Sequence, residues 1–177
     1  HCIGEFMTKT IAYSGAQGTG KTTAAHQQMV DIKHSIPGRS SSVFFLGEFA
    51  EKCPFPINRE AAEETQAWLF HSQIKAELEA RSRFDVVVQD RTIIDVVAYT
   101  MVAGFTSLAD AMTTYARQHI NYYDVVYIKT IEANHHCHQD GIRDVDLGFR
   151  KEIQQAIFFL YDELADPDTY PGAVYHV

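Results

Sequence analysis

Short apolar runs and amphipathic segments alternate from one end of the chain to the other. The run "TIAYSG" (Thr10–Gly15) predicts a buried strand that ends at a glycine-rich loop. Ala25, Met29, Ile32 and Ile36 then recur at helical spacing, and Pro37-Gly38 marks the expected end of that helix. "SVFFLGE" (Ser42–Glu48) predicts a second strand. Beyond the loop "KCPFPIN", Asn58 is placed to cap a long helix reaching about Arg83. "FDVVVQD" (Phe84–Asp90) has the strongest strand pattern, an apolar run closed by an acid. Two helices follow, Thr92 to about Ala103 and Leu108 to about Asn121, with Gly104 between them. "DVVYIKT" (Asp124–Thr130) predicts a fourth strand, a polar loop "EANHHCHQDGIRDVD" leads to a helix near Phe149–Leu164, and "AVYHV" closes as a short strand. Strands that are apolar throughout, alternating with helices, predict a parallel sheet covered on both faces. The fold class is therefore α/β, one domain over residues 7–177.

Composition narrows this little further. The 177 residues are 46% hydrophobic, enough for a real core, and no apolar run approaches the roughly 20 residues of a bilayer span. His1–Phe6 ("HCIGEF") precede Met7 and read as an expression-vector remnant. Cys53 and Cys137 then remain, which fits free thiols in a reducing, cytoplasmic compartment. A net charge of −8 argues against coating nucleic acid, although Arg143, Arg150 and Lys151 form a local basic cluster. The adjacent His135, His136, Cys137 and His138 diverge too much for a zinc site and fit a polar hinge; Trp68 and Phe70 fit helix core.

The chemistry begins at "SGAQGTGKTT". Gly15-x-x-x-x-Gly20-Lys21-Thr22, strand before and helix after, is the arrangement in which backbone N–H groups surround a phosphate. Gly15, Ala16, Gln17, Gly18, Thr19, Gly20, Lys21, Thr22 and Thr23 are thus the expected ATP-binding residues. Lys21 is to reach the β- and γ-phosphates, and the Thr22 hydroxyl is to ligate Mg2+. A GTPase would carry a guanine-reading Asn-Lys-x-Asp, which is absent, and a transport-type or remodelling ATPase would need a signature helix or second subdomain for which the chain has no room. A small kinase needs acids at neighbouring strand ends and arginines over the transferred phosphoryl group. Asp90 ends the third strand as the expected metal-associated acid, and Arg91 follows it toward an acceptor's oxygens. Glu48, at the end of the second strand, is the expected general base.

"DRTIIDVVAY" (Asp90–Tyr99) resembles the Asp-Arg-Tyr-x-x-Ser-x-x-Ala-Tyr signature of thymidylate kinases, departing at Thr92 and Asp95, and is similar to the Glu-Arg-Ser segment of deoxynucleoside kinases. With "YSGAQGTGKTT", "GEFAEK", a helix bearing Gln73 and "DGIRDVDLGFRKEI", the span Thr8–Leu164 most resembles the ribosylnicotinamide-kinase-like group of P-loop kinases. That resemblance implies a five-stranded parallel sheet in the order 2-3-1-4-5 and a short lid near residues 133–149. It also implies Glu48 as base, Asp90 at the metal, Arg91 on the acceptor, Gln73 (with Gln66 on the same helix) as a base-reading amide, and Arg143 and Arg150 as lid arginines on ATP. Asp95 in place of the signature serine adds negative charge beside the acceptor, which suits a neutral hydroxylated sugar. The expected function is an ATP- and Mg2+-dependent kinase of a nucleoside or nucleotide-like small molecule. Two alternatives stand beside it: a kinase of a hydroxymethylated pyrimidine base in bacteriophage DNA, and a nucleotide-binding regulatory ATPase. No membrane partner is expected, and a homodimer is left open.

Overall fold

The computed structural model describes residues 8–35, 42–131 and 146–177. Five strands, β1 (Lys9–Ser14), β2 (Val43–Leu46), β3 (Val86–Asp90), β4 (Val125–Ile128) and β5 (Ala173–His176), pair in parallel in the order β2-β3-β1-β4-β5. This is the 2-3-1-4-5 order expected above. The helices are α1 (Lys21–Ser35), α2 (Glu63–Arg81), α3 (Ile93–Val102), α4 (Thr106–His119) and α5 (Leu147–Leu164).

Both faces of β1 are buried because its alternate side chains enter different cores. Ile11 and Tyr13 pack with Ala25 of α1, whereas Ala12 joins Ile93, Val97, Ile153 and Ile157 of α3 and α5 on the opposite face. A third cluster, Leu46, Val87 and Ala80, seats α2 against the β2–β3 edge. No helix among the described residues is long and apolar enough to cross a membrane. Phe70 lies in the core, as its helical position predicts. Cys53 is a free thiol.

Several boundaries shift from expectation, each for a local reason. β3 begins at Val86, not Phe84, because the Asp85 carboxylate accepts from the Ser42 N–H (2.8 Å) and holds the strand entrance. β2 stops at Leu46, opposite Gln89, so Glu48 stands two residues beyond the strand instead of ending it. Asn58 does not open α2; it begins a single 3-10 turn (Asn58–Glu60), and α2 starts at Glu63. There the Ala62 N–H donates to Thr65 Oγ1 (3.2 Å), whose hydroxyl donates to the Pro56 carbonyl (2.9 Å), fixing the entry of the chain. α4 starts at Thr106 rather than Leu108, and α5 at Leu147, where the Asp146 carboxylate caps it by accepting from the Phe149 N–H (3.0 Å). The expected helix stop at Pro37-Gly38 lies outside the described residues.

β5 is held by the approach to it. Tyr170 Oη donates to the Tyr123 carbonyl (2.6 Å), and a Cβ at Gly172 would stand 2.3 Å from that same carbonyl oxygen and 2.4 Å from Tyr170 Oη. Gly172→Ala should therefore lower stability by about 1–3 kcal/mol, the usual cost of overpacking. Urea unfolding should show a lower midpoint with an unchanged slope; an unchanged midpoint would mean that β5 docks with room to spare.

Candidate active site

In an open parallel sheet the strand C-termini face the ligand crevice, and here β1 and β3 deliver the two halves of the site side by side, Tyr13 opposite Asp90. The loop after β1 turns on three glycines with positive φ, Gly15 (140°), Gly18 (70°) and Gly20 (80°). At Gly15 a side chain has no room either, since a Cβ would lie 2.5 Å from the Lys129 carbonyl oxygen. Ala16, Gln17 and Thr19 are buried, while Gly20 and Thr23 are exposed where α1 begins. This is the phosphate loop that the sequence predicts, and Gly18, Gly20, Lys21, Thr22 and Thr23 line one cavity together with Glu48 and Arg91.

Lys21 is buried, and its Nζ donates to the Ala16 carbonyl (2.6 Å). Burial, and then the Arg91 charge, pull its pKa down to about 8 against the opposing pull of Asp90, Asp95 and Glu48. The Thr22 hydroxyl donates to Asp90 Oδ2. Asp90 is 1% exposed, and its other oxygen, Oδ1, is buried with no hydrogen-bond donor. An orphaned carboxylate oxygen beside a threonine hydroxyl is a pair of hard oxygen ligands, and it fits a Mg2+ ion or its water shell.

Arg91 is the one non-glycine residue with positive φ (82°) among those described. Its N–H donates to the Tyr13 carbonyl (2.8 Å), continuing the β3–β1 ladder by one residue. The left-handed turn then sends the side chain back to Glu48, with Nε 2.7 Å from Oε2 in a pair about one-sixth exposed. Burial opposes the guanidinium charge, yet Tyr99, Glu48, Asp95 and Asp90 together raise its pKa well above the usual arginine value. The guanidinium also lies over the Tyr99 ring, 5.5 Å from its centroid. Glu48 and Arg91, expected as base and acceptor-side cation, thus meet, with Glu48 lining the phosphate-loop cavity and Arg91 lining both that cavity and a second one.

The second cavity is mostly apolar. Phe49, Ile57, Leu69, Val96 and Tyr99 form its walls, and Thr65, Gln66, Gln73, Arg91 and Asp95 contribute the polar groups. Gln73 and Gln66, both on α2, line it together. Asp95 is placed differently from the expectation of a charge presented to an acceptor. It is 1% exposed, and its oxygens accept from the Gly15 N–H (2.9 Å), the Thr92 N–H (2.8 Å) and the Thr92 hydroxyl (2.8 Å). Its charge is spent on the loop and on the start of α3. Arg150 is likewise turned inward: Nε donates to the Gln17 carbonyl (3.0 Å) and Nη2 to the Gly18 carbonyl (3.4 Å), so it braces the loop from behind. Arg143, the His135–His138 cluster and most of the expected lid lie outside the described residues.

Three participants do not stand out in the sequence. Tyr99 Oη donates to Gln17 Oε1, tying the wall of the apolar cavity to the phosphate loop. Glu77 and Gln89 form a buried polar cluster behind Gln73. The available signals were a glutamate one helical turn after Gln73 on a face that otherwise reads as core, and a glutamine interrupting "VVVQD".

A family profile described as "AAA domain" matches residues 10–167. No curated protein matches the chain in sequence. Among solved structures the fold is similar to thymidylate kinase from Ehrlichia chaffeensis, with a TM-score of 0.66 and 15% identity over 97% of this chain and 93% of that one. It is also similar to thymidylate kinase from Candida albicans, with a TM-score of 0.62 and 11% identity over 97% and 84% of the two chains. At such identities the likeness is one of fold, a P-loop α/β domain with this strand order.

The depressed Lys21 has a measurable consequence. Near pH 8 it is about half protonated in the free protein. A nucleoside triphosphate seated on the loop would raise its pKa again, so binding at that pH should take up a fraction of a proton, falling to none near pH 6 where the lysine is already charged. Calorimetry in buffers of different ionisation enthalpy should show this uptake, and Lys21→Met should abolish it. The same uptake in the variant would assign the proton to another group.

Proposed function

The chain belongs to the AAA domain family, and from its crevice we propose that it is an ATP- and Mg2+-dependent phosphotransferase acting on a hydroxyl of a nucleoside or nucleotide-like small molecule. The observation that carries this reading is the Glu48–Arg91 pair, 2.7 Å apart, in which Glu48 lines the phosphate-loop cavity and Arg91 lines both that cavity and the mostly apolar one. A protein that only hydrolyses or senses nucleotide has no need of an acid at that position or of a second, shaped compartment beyond it.

In this reading the acceptor's ring enters the apolar cavity and its hydroxyl points back toward Glu48. Glu48 takes the hydroxyl proton as the oxygen bonds to the γ-phosphorus, the bond from that phosphorus to the β–γ bridging oxygen breaks, and ADP leaves. Arg91 holds the carboxylate in line and can donate to the acceptor's oxygens. Lys21 exchanges the Ala16 carbonyl for the phosphates, so the free loop keeps the lysine oriented until nucleotide arrives. Thr22 and Asp90 would hold Mg2+, which supplies positive charge against the β- and γ-phosphate oxygens. Arg143, in the segment before α5, is proposed as the cation that covers the transferring group.

Within the class we keep the ribosylnicotinamide-kinase-like assignment and a cytoplasmic setting as part of the proposal. Among the described residues Arg91 is the one arginine that lines the apolar cavity, and its pairing with Glu48 favours a neutral acceptor over a monophosphate. The family's description as an AAA domain favours a second reading, a regulatory ATPase, which requires no acceptor.

Labelled ATP offered with nucleosides, nucleotides and hydroxymethylated DNA separates these readings, and transfer to a nucleoside is the expected result. Hydrolysis alone, unchanged by any acceptor, would favour the ATPase. Glu48→Gln should lower kcat by about 10²–10⁴-fold, the usual worth of a general base, with nucleotide affinity nearly unchanged. Asp90→Asn should instead raise the Mg2+ concentration needed for half-maximal rate. Normal transfer by Glu48→Gln would remove Glu48 from the chemistry.

A further inference from the structure

Behind the cavity wall the buried Glu77 carboxylate gathers donors from four side chains. Its Oε1 accepts from Gln73 Nε2 (2.8 Å) and Gln89 Nε2 (2.8 Å), and its Oε2 accepts from His119 Nε2 (2.6 Å) and the Tyr123 hydroxyl (2.9 Å). A carboxylate can only accept, and a buried one without donors is costly, so both carboxamides must turn their nitrogens toward it. Each of those nitrogens also lies near the Arg91 carbonyl, 3.4 Å for Gln73 and 2.9 Å for Gln89. Two amides therefore bridge from one carboxylate oxygen to the carbonyl of the left-handed residue. The N–H groups of Gln73 are used behind the wall, yet Gln73 lines the cavity.

We infer that Glu77 is a positioning residue that fixes the polarity of Gln73, so that the cavity offers a carbonyl oxygen there and selects an acceptor whose ring edge carries an N–H donor. The inference rests on the kinase reading for the identity of the cavity's occupant, though not for the orientation of the amide. The chemical class is a nucleoside with a lactam, amino or carboxamide N–H; a ring edge that only accepts would face oxygen against oxygen. Sites built to meet one donor discriminate strongly against a partner lacking it, because the buried polar group is then left unpaired.

Two measurements test this. In the ligand-free protein, the side-chain NH2 resonances of Gln73 should exchange with solvent at least about tenfold more slowly than those of the exposed Gln118, as expected for N–H groups held in buried bonds. Exchange as fast as at Gln118 would overturn the inference whatever the substrate proves to be. In turnover, uridine against 3-methyluridine and inosine against 1-methylinosine compare a ring N–H with its blocked form. Wild type should favour the N–H member by roughly 10–100-fold, expressed mainly in KM, and Glu77→Gln, which frees Gln73 to flip, should bring the ratio toward one. Equal use of both members by wild type would overturn the inference and leave the kinase reading intact. If no member of either pair receives phosphate, the kinase reading fails for these acceptors and the exchange measurement alone decides the orientation. That measurement also stands if Glu77→Gln does not fold.

Discussion

One buried carboxylate holds the architecture of the crevice. Asp95 sits in the first turn of α3 and reaches the opening of the phosphate loop through the Gly15 N–H, while its other oxygen takes the N–H and hydroxyl of Thr92. A charge that is 1% exposed is tolerable only because three donors and the positive end of a helix surround it. The effect is to clamp the exit of β1 to the exit of β3. Between those two points lies Arg91, and on either side lie the two cavities. Removing the clamp would let the glycine loop and the Asp90–Arg91 turn move independently, and the spacing between Thr22 and Asp90 would no longer be defined.

The parts that were legible in the sequence are those fixed by local pattern. Apolar runs located all five strands, and the Gly15–Thr22 spacing located the phosphate loop, because both are short-range consequences of burial and backbone freedom. Strand order came only through resemblance, since nothing within a strand encodes its neighbour. Asp95 shows a subtler limit. Thr92-x-x-Asp95 is the spacing of a helix start, and half of that motif is present in the Asp95 contact to the Thr92 N–H. The sequence alone could not show that the other oxygen would be claimed by Gly15, eighty positions away in the chain. Arg150 was misdirected for the same reason, because a basic residue beside a lid segment reads as a nucleotide contact until the loop's own carbonyls are seen to occupy it.

The two cavities are joined by side chains as well as by backbone. Arg91 lies over Tyr99, Tyr99 donates to Gln17, and the Gln17 carbonyl accepts from Arg150 at the start of α5. This chain of contacts runs from the mostly apolar wall, through the middle of the phosphate loop, to the helix that follows the proposed lid. Every link uses a buried or half-buried group, where hydrogen bonds are least diluted by water. An apolar compartment and a phosphate site are thus packed as one body.

The left-handed backbone at Arg91 has a meaning beyond geometry. A non-glycine residue held at φ 82° carries a steric penalty on the order of 1–2 kcal/mol, which glycine would not carry. Selection for a durable fold alone would therefore place glycine at position 91. An arginine there, braced by two amides and its backbone N–H and paired with Glu48, marks a place where thermodynamic stability and the placement of charge pull in opposite directions. Directed evolution toward heat resistance would meet that conflict at this residue, gaining robustness in the direction that removes the cation paired with Glu48.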